Sequence, residues 1–298
     1  MSEAVTVPKA KISIIIFLGL LAFGFAPILV RLATGVSPIT LAAYRTIFAA
    51  LLLLPFWVIH MKKEREEVPY TRKQKILGAF AGICLGFHFI LWIASLKYTS
   101  VASASVLVTI HPIILIVIES TLFSKKFRGV TWIGVFMTFA GSALLGLADE
   151  HMMSVYPHPV FGDLLAVGAA IIFVIYILIG QNLRRQSTWL DYVSRVYSFA
   201  ALSCIGVVLI AGVGFNITTV GILAALGMAI GPQILGHGSL NYAVKYISPT
   251  ILSTLVLSEP LLATFFAYLI FSEIPTLFSA VSMTVIMAGI LLTWKAKV

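Results

Sequence analysis

Two ionisable residues stand next to prolines in the middle of long apolar segments. Glu259 precedes Pro260 and His111 precedes Pro112, and the two pairs are 148 residues apart. An ionisable side chain at the centre of a bilayer costs about 2.5–3.5 kcal/mol on insertion scales, so it needs a reason to be there. We expect Glu259 and His111 to bind a substrate's amino group or to carry a proton exchanged for it. The alternative is a neutral Glu259 hydrogen-bonded to a neighbouring helix.

Arg45 and Arg195, 150 residues apart, form a second pair inside apolar segments. Arginine binds carboxylate or phosphate groups in bidentate fashion and stays charged. Each is therefore a candidate contact for an anionic group of a substrate, one from each face of the membrane. The structural alternative is that both snorkel to headgroups or pair with carbonyls, and Asp191, four residues before Arg195, is placed to neutralise it.

Other polar and aromatic residues complete the predicted site. His88 and His237 form a third pair, for which substrate contact and a hydrogen bond across a packed helix interface both stay open. The remaining candidates for substrate binding are each also explained by helix packing: Trp92, Tyr176, Tyr242, Gln233 and Ser258. Glu119 is explained by a local salt bridge with Lys125 or Lys126.

The elements that position these residues come in two similar halves. Gly82 corresponds to Gly231 at a spacing of 149, and Lys97 corresponds to Lys245 at 148. The spacing falls from 150 to 148 along the chain, as small deletions between parallel halves would leave. We predict two repeats, residues 1–148 and 149–298.

Composition places both halves in a membrane. Of the 298 residues, 60% are hydrophobic and 10% are charged, against about 25% charged in soluble domains. The mean hydropathy of +1.06 excludes a soluble globular protein. Continuous apolar runs of about 20 residues predict helical spans rather than barrel strands. We place ten spans at 12–33, 38–61, 75–97, 101–122, 129–148, 160–183, 189–213, 217–244, 249–271 and 275–294.

Five spans per repeat is an odd number, so the second repeat enters the bilayer upside down. The predicted fold is therefore an all-α membrane protein with ten transmembrane helices in two inverted five-helix repeats. Inverted repeats are typical of transporters, whose substrate site lies near the midplane where the repeats meet.

Basic residues predict the orientation of the bundle. Sixteen of the 20 Lys and Arg residues fall on one set of alternating connections, and only Arg31 and Lys97 fall on the other set, which also carries Asp149, Glu150 and Glu273. This bias predicts a multi-pass protein of the cell membrane with both termini in the cytoplasm. The net charge of +9 then needs no nucleic-acid partner.

Prolines and glycines predict where spans bend and pack. Four prolines mark kinks in the middle of spans: Pro27, Pro112, Pro232 and Pro260. The eighth span is rich in glycine and is expected to be kinked or locally unwound. Glycines at intervals of four residues on the third and eighth spans predict close approach of neighbouring helices.

Several motifs resemble the EamA-type family of the drug/metabolite transporter superfamily. In the first half these are Pro38-Ile-Thr-Leu-Ala-Ala-Tyr-Arg45 and Leu96-Lys-Tyr-Thr-Ser-Val-Ala-Ser-Ala-Ser105. In the second half they are Tyr242-Ala-Val-Lys-Tyr-Ile-Ser-Pro249, Ser258-Glu-Pro260 and Phe271-Ser-Glu273. The chain departs from the family at the end of span four, where Ser124-Lys125-Lys126 replaces the usual acidic residue. The resemblance implies export of amino acids, related metabolites or drugs.

The motifs of other classes are missing from the sequence. There is no GxxxxGK[ST] for ATP and no HExxH, and Cys84 and Cys204 are both in apolar segments. We therefore expect no metal, no cofactor and no enzymatic activity, but a secondary active transporter that exports a small metabolite, such as an amino acid or related amphipathic compound, by alternating access. A passive facilitator, channel or membrane sensor is the alternative, with an intramembrane enzyme a distant third. The expected partners are the metabolite, protons and the lipid bilayer, for a monomer or a homodimer.

Overall fold

The computed structural model describes residues 8–63, 70–99, 104, 107–147, 158–272 and 274–296. These residues form eight helices that are long and apolar enough to cross a membrane and two further apolar helices. The ten helices are α1 Lys9–Leu32, α2 Pro38–Lys63, α3 Arg72–Tyr98, α4 His111–Thr121, α5 Gly129–Leu147, α6 Pro159–Arg184, α7 Trp189–Ala211, α8 Thr219–Ala243, α9 Pro249–Phe271 and α10 Leu277–Ala296. The predicted all-helical fold is confirmed.

Side-chain caps set the start of five helices. The hydroxyls of Thr71, Thr188, Thr218, Ser248 and Thr276 each accept a hydrogen bond from a backbone N–H three residues later. Such caps satisfy N–H groups that have no partner within the helix. The predicted fourth span is divided: residues 104, 107 and 108 are helical, a turn follows at 109–110, and α4 begins at His111. Residues 100–103 and 105–106 of that predicted span lie outside the described residues, as do Asp149, Glu150 and Glu273.

Helices break at the predicted prolines. Helix α1 is interrupted at Phe25 and resumes with Pro27 in its first turn. Helix α9 is interrupted at residues 257–258 and resumes at Glu259, directly before Pro260. Proline suits the first turn of a helix because the N–H that it lacks would have no partner there. The expected kinks are thus short interruptions that divide a span into two helical pieces.

The irregularity expected in the eighth span takes the form of a π-helix. Residues Ala229–His237 form this segment, with Pro232 inside it. A π-helix pairs each donor with the carbonyl five residues earlier, so it inserts an extra residue per turn and often marks a functional site. Its counterpart in the first repeat, within α3, is a regular α-helix.

Helix contacts follow an approximate two-fold relation between the repeats. Equivalent helices pack on one another as α2 on α7, α4 on α9 and α5 on α10, and α3 packs on α6 as α8 packs on α1. Because each repeat has five helices, this relation inverts the second repeat against the first. Helices α5 and α10 form a separate close pair at the edge of the bundle.

Glycines allow the closest approaches. A Cβ at Gly82 would lie 2.5 Å from the Val196 carbonyl oxygen, and one at Gly86 would lie 2.9 Å from that of Ala200, so α3 and α7 touch backbone to backbone. The predicted tight face on α3 is confirmed. Gly231 is different, because nothing lies within 4 Å of the Cβ it would carry. The prediction of close packing at Gly231 was wrong, since the π-helix turns this residue into open space.

Candidate functional site

A small cavity lies between the two repeats. It has a volume of about 50 Å³, and since one water needs about 10–15 Å³ on this measure, it holds a few water molecules. Residues of α1 to α4, α6, α8 and α9 line it. Its wall is largely aromatic, with Phe23, Phe89, Trp92 and Phe173, and its polar lining residues are Arg45, His88, Thr109, His111, His237 and Glu259.

His111 and Glu259 occupy equivalent positions on this cavity. Each is the first residue of a helical piece that follows a two-residue turn, at 109–110 and 257–258 respectively. Two half-helix N-termini therefore meet at the cavity, an arrangement typical of substrate sites in transporters with broken helices. The Glu259 carboxyl group forms no hydrogen bond or ion pair with any residue that the structure describes.

Hydrogen bonds fix the histidines that line the cavity. Nδ1 of His88 donates to the Ala169 carbonyl at 2.9 Å, and Nδ1 of His111 donates to the Val108 carbonyl at 3.0 Å. In a neutral imidazole the other nitrogen is then an acceptor. Nε2 of His111 is buried and has no partner among the described residues. His111 thus has an unused acceptor and lines the same cavity as Glu259.

His237 completes a cluster of rings. It lies edge-on to Phe23 and Phe89, with ring centroids 4.9 and 5.0 Å apart, and its centroid is 6.1 Å from that of His88. Its Nδ1 is buried without a partner in the described part of the chain. Among the described residues, no three His, Cys, Asp or Glu side chains are grouped so that they would hold a metal ion.

Arg45 is buried in the cavity wall, with 1% of its surface exposed. Its Nε donates to Gln233 Oε1 at 3.1 Å, and its guanidinium carbon lies 3.8 Å from the centroid of the Phe89 ring. The remaining N–H groups donate to no described residue. Gln233 is held in turn by its own carbonyl, which accepts from the Tyr197 hydroxyl at 2.8 Å.

Arg195, the repeat mate of Arg45, does not line this cavity. Its Nε donates to Asp191 Oδ1 at 3.0 Å, and its guanidinium lies between the rings of Trp57 and Tyr70. Trp57 donates from Nε1 to the same Asp191 oxygen at 2.9 Å. The ion pair with Asp191 is the structural alternative that the sequence offered for Arg195.

The other predicted residues divide into two groups. Trp92 lines the cavity, and Tyr176 stands behind its wall with its ring centroid 5.7 Å from that of Phe173. Tyr242 instead contacts Tyr246, and Ser258 donates to the Leu255 carbonyl at 2.7 Å. Neither of these two lines the cavity.

One end of the bundle is closed by polar contacts between the repeats. This basic end carries the connections rich in Lys and Arg. Glu119 is fully buried there, and its Oε2 accepts from the Thr250 N–H at 3.0 Å and from the Thr250 hydroxyl at 2.6 Å. Its Oε1 pairs with Lys125, which confirms the predicted salt bridge. His60 and Thr188 form a further contact at 3.0 Å.

The opposite end contains open space. A gap of about 470 Å³ lies between α1, α2 and α3. It is lined by Val30, Ala33, Gly35, Val36, Ser37, Pro38, Leu41, Ile93, Leu96 and Lys97. Several of these residues lie on helices that also line the central cavity, within one or two turns of the residues that line it.

Comparison with known proteins places both halves in one family. The model of the EamA-like transporter family matches residues 10–147 and again residues 160–295. An uncharacterized transporter of Archaeoglobus fulgidus is 24% identical over 86% of this chain and 88% of its own length. The uncharacterized transporter YdfC of Bacillus subtilis is 23% identical over 96% and 91%. A crystal structure with 17% sequence identity superposes with a TM-score of 0.76 over 97% of this chain and 99% of that chain, a likeness of fold alone.

Proposed function

The chain belongs to the EamA-like transporter family, and on that premise we propose that it is a secondary active transporter of a small zwitterionic metabolite. An amino acid or a related amphipathic compound is the solute class, and alternating access is the mechanism. Membership of a family of membrane transporters, rather than of enzymes, is the part already established.

The observation that carries the proposal is the separation of opposite charges around the cavity. Arg45 has unused N–H groups, and Glu259 has a carboxyl group without a hydrogen bond in the described structure. Leaving such groups unpaired in a buried site is costly. A ligand that pairs with both offsets that desolvation cost, and this favours its binding. A zwitterion offers a carboxylate to Arg45 and an ammonium to Glu259, while the aromatic wall accepts its apolar part.

Glu259 and His111 are also the groups proposed to carry a coupled proton. Both stand at the N-terminus of a half-helix, and His111 keeps Nε2 free as an acceptor. A proton on either group removes the attraction for an ammonium. Binding of proton and solute then compete, which is the requirement for exchange.

The basic end is proposed to face the cytoplasm, together with both termini of a cell-membrane protein. Sixteen basic residues on one set of connections support this orientation. Export is the direction implied by the family resemblance. The two repeats, 1–148 and 149–298, form one complete cavity within a single chain, so a monomer suffices for transport.

A carrier fits the geometry better than a channel. The basic end is closed by Glu119, Asp191 and their partners, and the cavity of about 50 Å³ is too small for a whole amino acid. Helices must therefore move for a solute to enter.

Two measurements on purified protein test the function. A thermal-shift screen against amino acids, amines and nucleotide derivatives identifies the solute, because a ligand at 100 times its Kd stabilises by about 2.7 kcal/mol. Counterflow in proteoliposomes then identifies the mechanism. External solute should accelerate release of labelled internal solute, whereas a linear flux without counterflow would establish a channel.

A further inference from the structure

A buried cation stands at the basic end and has no acidic partner among the described residues. Arg184, the last residue of α6, is 3% exposed. Its Nε donates to the Asn241 carbonyl at 2.8 Å, and its Nη1 donates to the Ser187 carbonyl. Among the residues that the structure describes, no carboxylate lies within ion-pair distance of it.

Two residues near this arginine carry unpaired polar atoms. Nδ2 of Asn241 and the hydroxyl of Tyr192 are both buried and have no partner within the described chain. Both side chains reach Gly180, one turn before Arg184 on α6: a Cβ at Gly180 would lie 2.8 Å from the Tyr192 hydroxyl and 3.9 Å from Asn241 Oδ1. An unpaired buried donor costs about 1–3 kcal/mol. Two such groups beside one buried cation make a site prepared for an anion.

A polar chain links this site to the central cavity. The Tyr176 hydroxyl donates to Asn241 Oδ1 at 2.6 Å. The Tyr176 ring lies 5.7 Å from Phe173 and 6.3 Å from His237, both of which line the cavity. Arg184 is therefore connected to the cavity wall through Asn241 and Tyr176.

The repeat relation shows where this site lies in the fold. Ile93 and Leu96 line the open space at the opposite end. At the spacing of 148 they correspond to Asn241 and Val244, which are buried at the basic end. The open space between α1, α2 and α3 thus has its counterpart between α6, α7 and α8, and there the counterpart is closed around Arg184.

We propose that Arg184 is a second anion contact for the transported solute, exposed when the basic end opens between α6, α7 and α8. This proposal rests on the proposed alternating access. In the closed state the Asn241 and Ser187 carbonyls accept the hydrogen bonds of the Arg184 guanidinium. When the helices separate, the carboxylate of the solute passes from Arg45 to Arg184, and water or solute satisfies Asn241 and Tyr192.

Cysteine labelling tests the site without knowledge of the solute. Cys84 and Cys204, both free and buried, are replaced by alanine. Val244→Cys then reports on the closed counterpart, and Leu96→Cys reports on the open space as its matched reference. Proteoliposomes are treated from each face with an anionic thiol reagent, sulfonatoethyl methanethiosulfonate, or with its cationic trimethylammonioethyl analogue.

Arg184→Gln is the test variant, Arg184→Lys keeps the charge, and Arg185→Gln is the matched control because Arg185 is the exposed neighbour. We expect Arg184→Gln to slow anionic labelling of Val244→Cys from the basic end by about tenfold, as loss of a steering charge does. Arg184→Lys should retain most of the rate. Arg185→Gln should leave it within twofold, and labelling of Leu96→Cys should follow none of these changes.

Two results would overturn the proposal. One is a Val244→Cys that reacts with neither reagent while Leu96→Cys reacts, because the basic end would then not open at this place. The other is an equal effect of Arg184→Gln and Arg185→Gln. Counterflow that persists in either case leaves the transport function standing, so the two failures are distinguishable.

Discussion

Arg45 and Gln233 join the two repeats beside the central cavity. Nε of Arg45, on α2, donates to Oε1 of Gln233 in the π-helix of α8 at 3.1 Å. The bond uses one donor of the guanidinium and leaves its other N–H groups without a partner among the described residues. The side-chain amide nitrogen of Gln233, Nε2, is also buried and has no partner among the described residues. This contact therefore positions a cation and leaves both of its members with unused hydrogen-bonding capacity.

Replacing Arg45 is expected to weaken solute binding strongly. Arg45→Gln removes the charge that faces the carboxylate, and loss of one member of a buried charge pair costs about 3 kcal/mol, roughly a 100-fold rise in the half-saturating concentration. Arg45→Lys should recover part of the loss, because lysine keeps the charge but not the bidentate fork. Exchange kinetics in proteoliposomes measure this, with Arg185→Gln as control; equal affinities for Arg45→Gln and the control would exclude the role.

Replacing Glu259 is expected to abolish the dependence of transport on pH. Glu259→Gln keeps the shape of the side chain but cannot bind or release a proton. Solute accumulation driven by a pH gradient should be lost, and residual exchange should become independent of pH. Arg185→Gln is the control, since Arg185 is exposed and lies outside the cavity. A Glu259→Gln protein with the native rate and native pH profile would reject the proton role.

Replacing Glu119 is expected to destabilise the closed basic end. Its Oε2 accepts two hydrogen bonds from Thr250 at the start of α9. A neutral amide there weakens both bonds and loses the favourable interaction with the helix N-terminus, for a cost of about 1–3 kcal/mol. Thr250→Val removes only the hydroxyl bond, at a cost of about 1 kcal/mol. Unfolding of both variants in detergent measures the difference, and the expectation fails if Thr250→Val is the less stable of the two.

Replacement by alanine should destabilise the protein at one glycine and have little effect at another. Gly82→Ala forces a Cβ to within 2.5 Å of the Val196 carbonyl oxygen and 2.6 Å of the Phe199 Cβ. Overpacking of this kind costs about 1–3 kcal/mol. Gly231→Ala meets nothing within 4 Å and should change stability by no more than about 0.5 kcal/mol. The same unfolding assay compares them, and equal losses would contradict the packing described here.

Much of the architecture follows from the sequence because the membrane leaves few alternatives. The apolar runs define the helices, and prolines define where α1 and α9 are interrupted and where α4 begins. The equivalence of His111 and Glu259 was also predictable, because both stand before a proline at the same place in the two repeats. These features depend on the hydrophobicity and the proline positions of short segments, which are similar in the two repeats.

The environments of equivalent residues were less predictable. Arg45 and Arg195 match in position, but the residue four before Arg45 is Leu41, whereas the one four before Arg195 is Asp191. That single difference gives Arg195 a local ion pair and leaves Arg45 to its partners across the cavity. Of the aromatic wall, the sequence predicts Trp92 but not the phenylalanines, because nothing distinguishes Phe23, Phe89 and Phe173 among 20 phenylalanines. Arg184 was counted only as a loop charge, because it ends its span.

The two repeats share one arrangement of helices, but equivalent helices differ in whether they are continuous. Helices α1 and α8 are interrupted or π-helical, whereas their counterparts α6 and α3 run without a break. Under the proposed alternating access, exchanging the roles of the repeats would bend a different pair of helices, so we expect the two facing states to differ in free energy. That difference would give the protein a preferred resting face, set by its backbone before any solute or proton arrives.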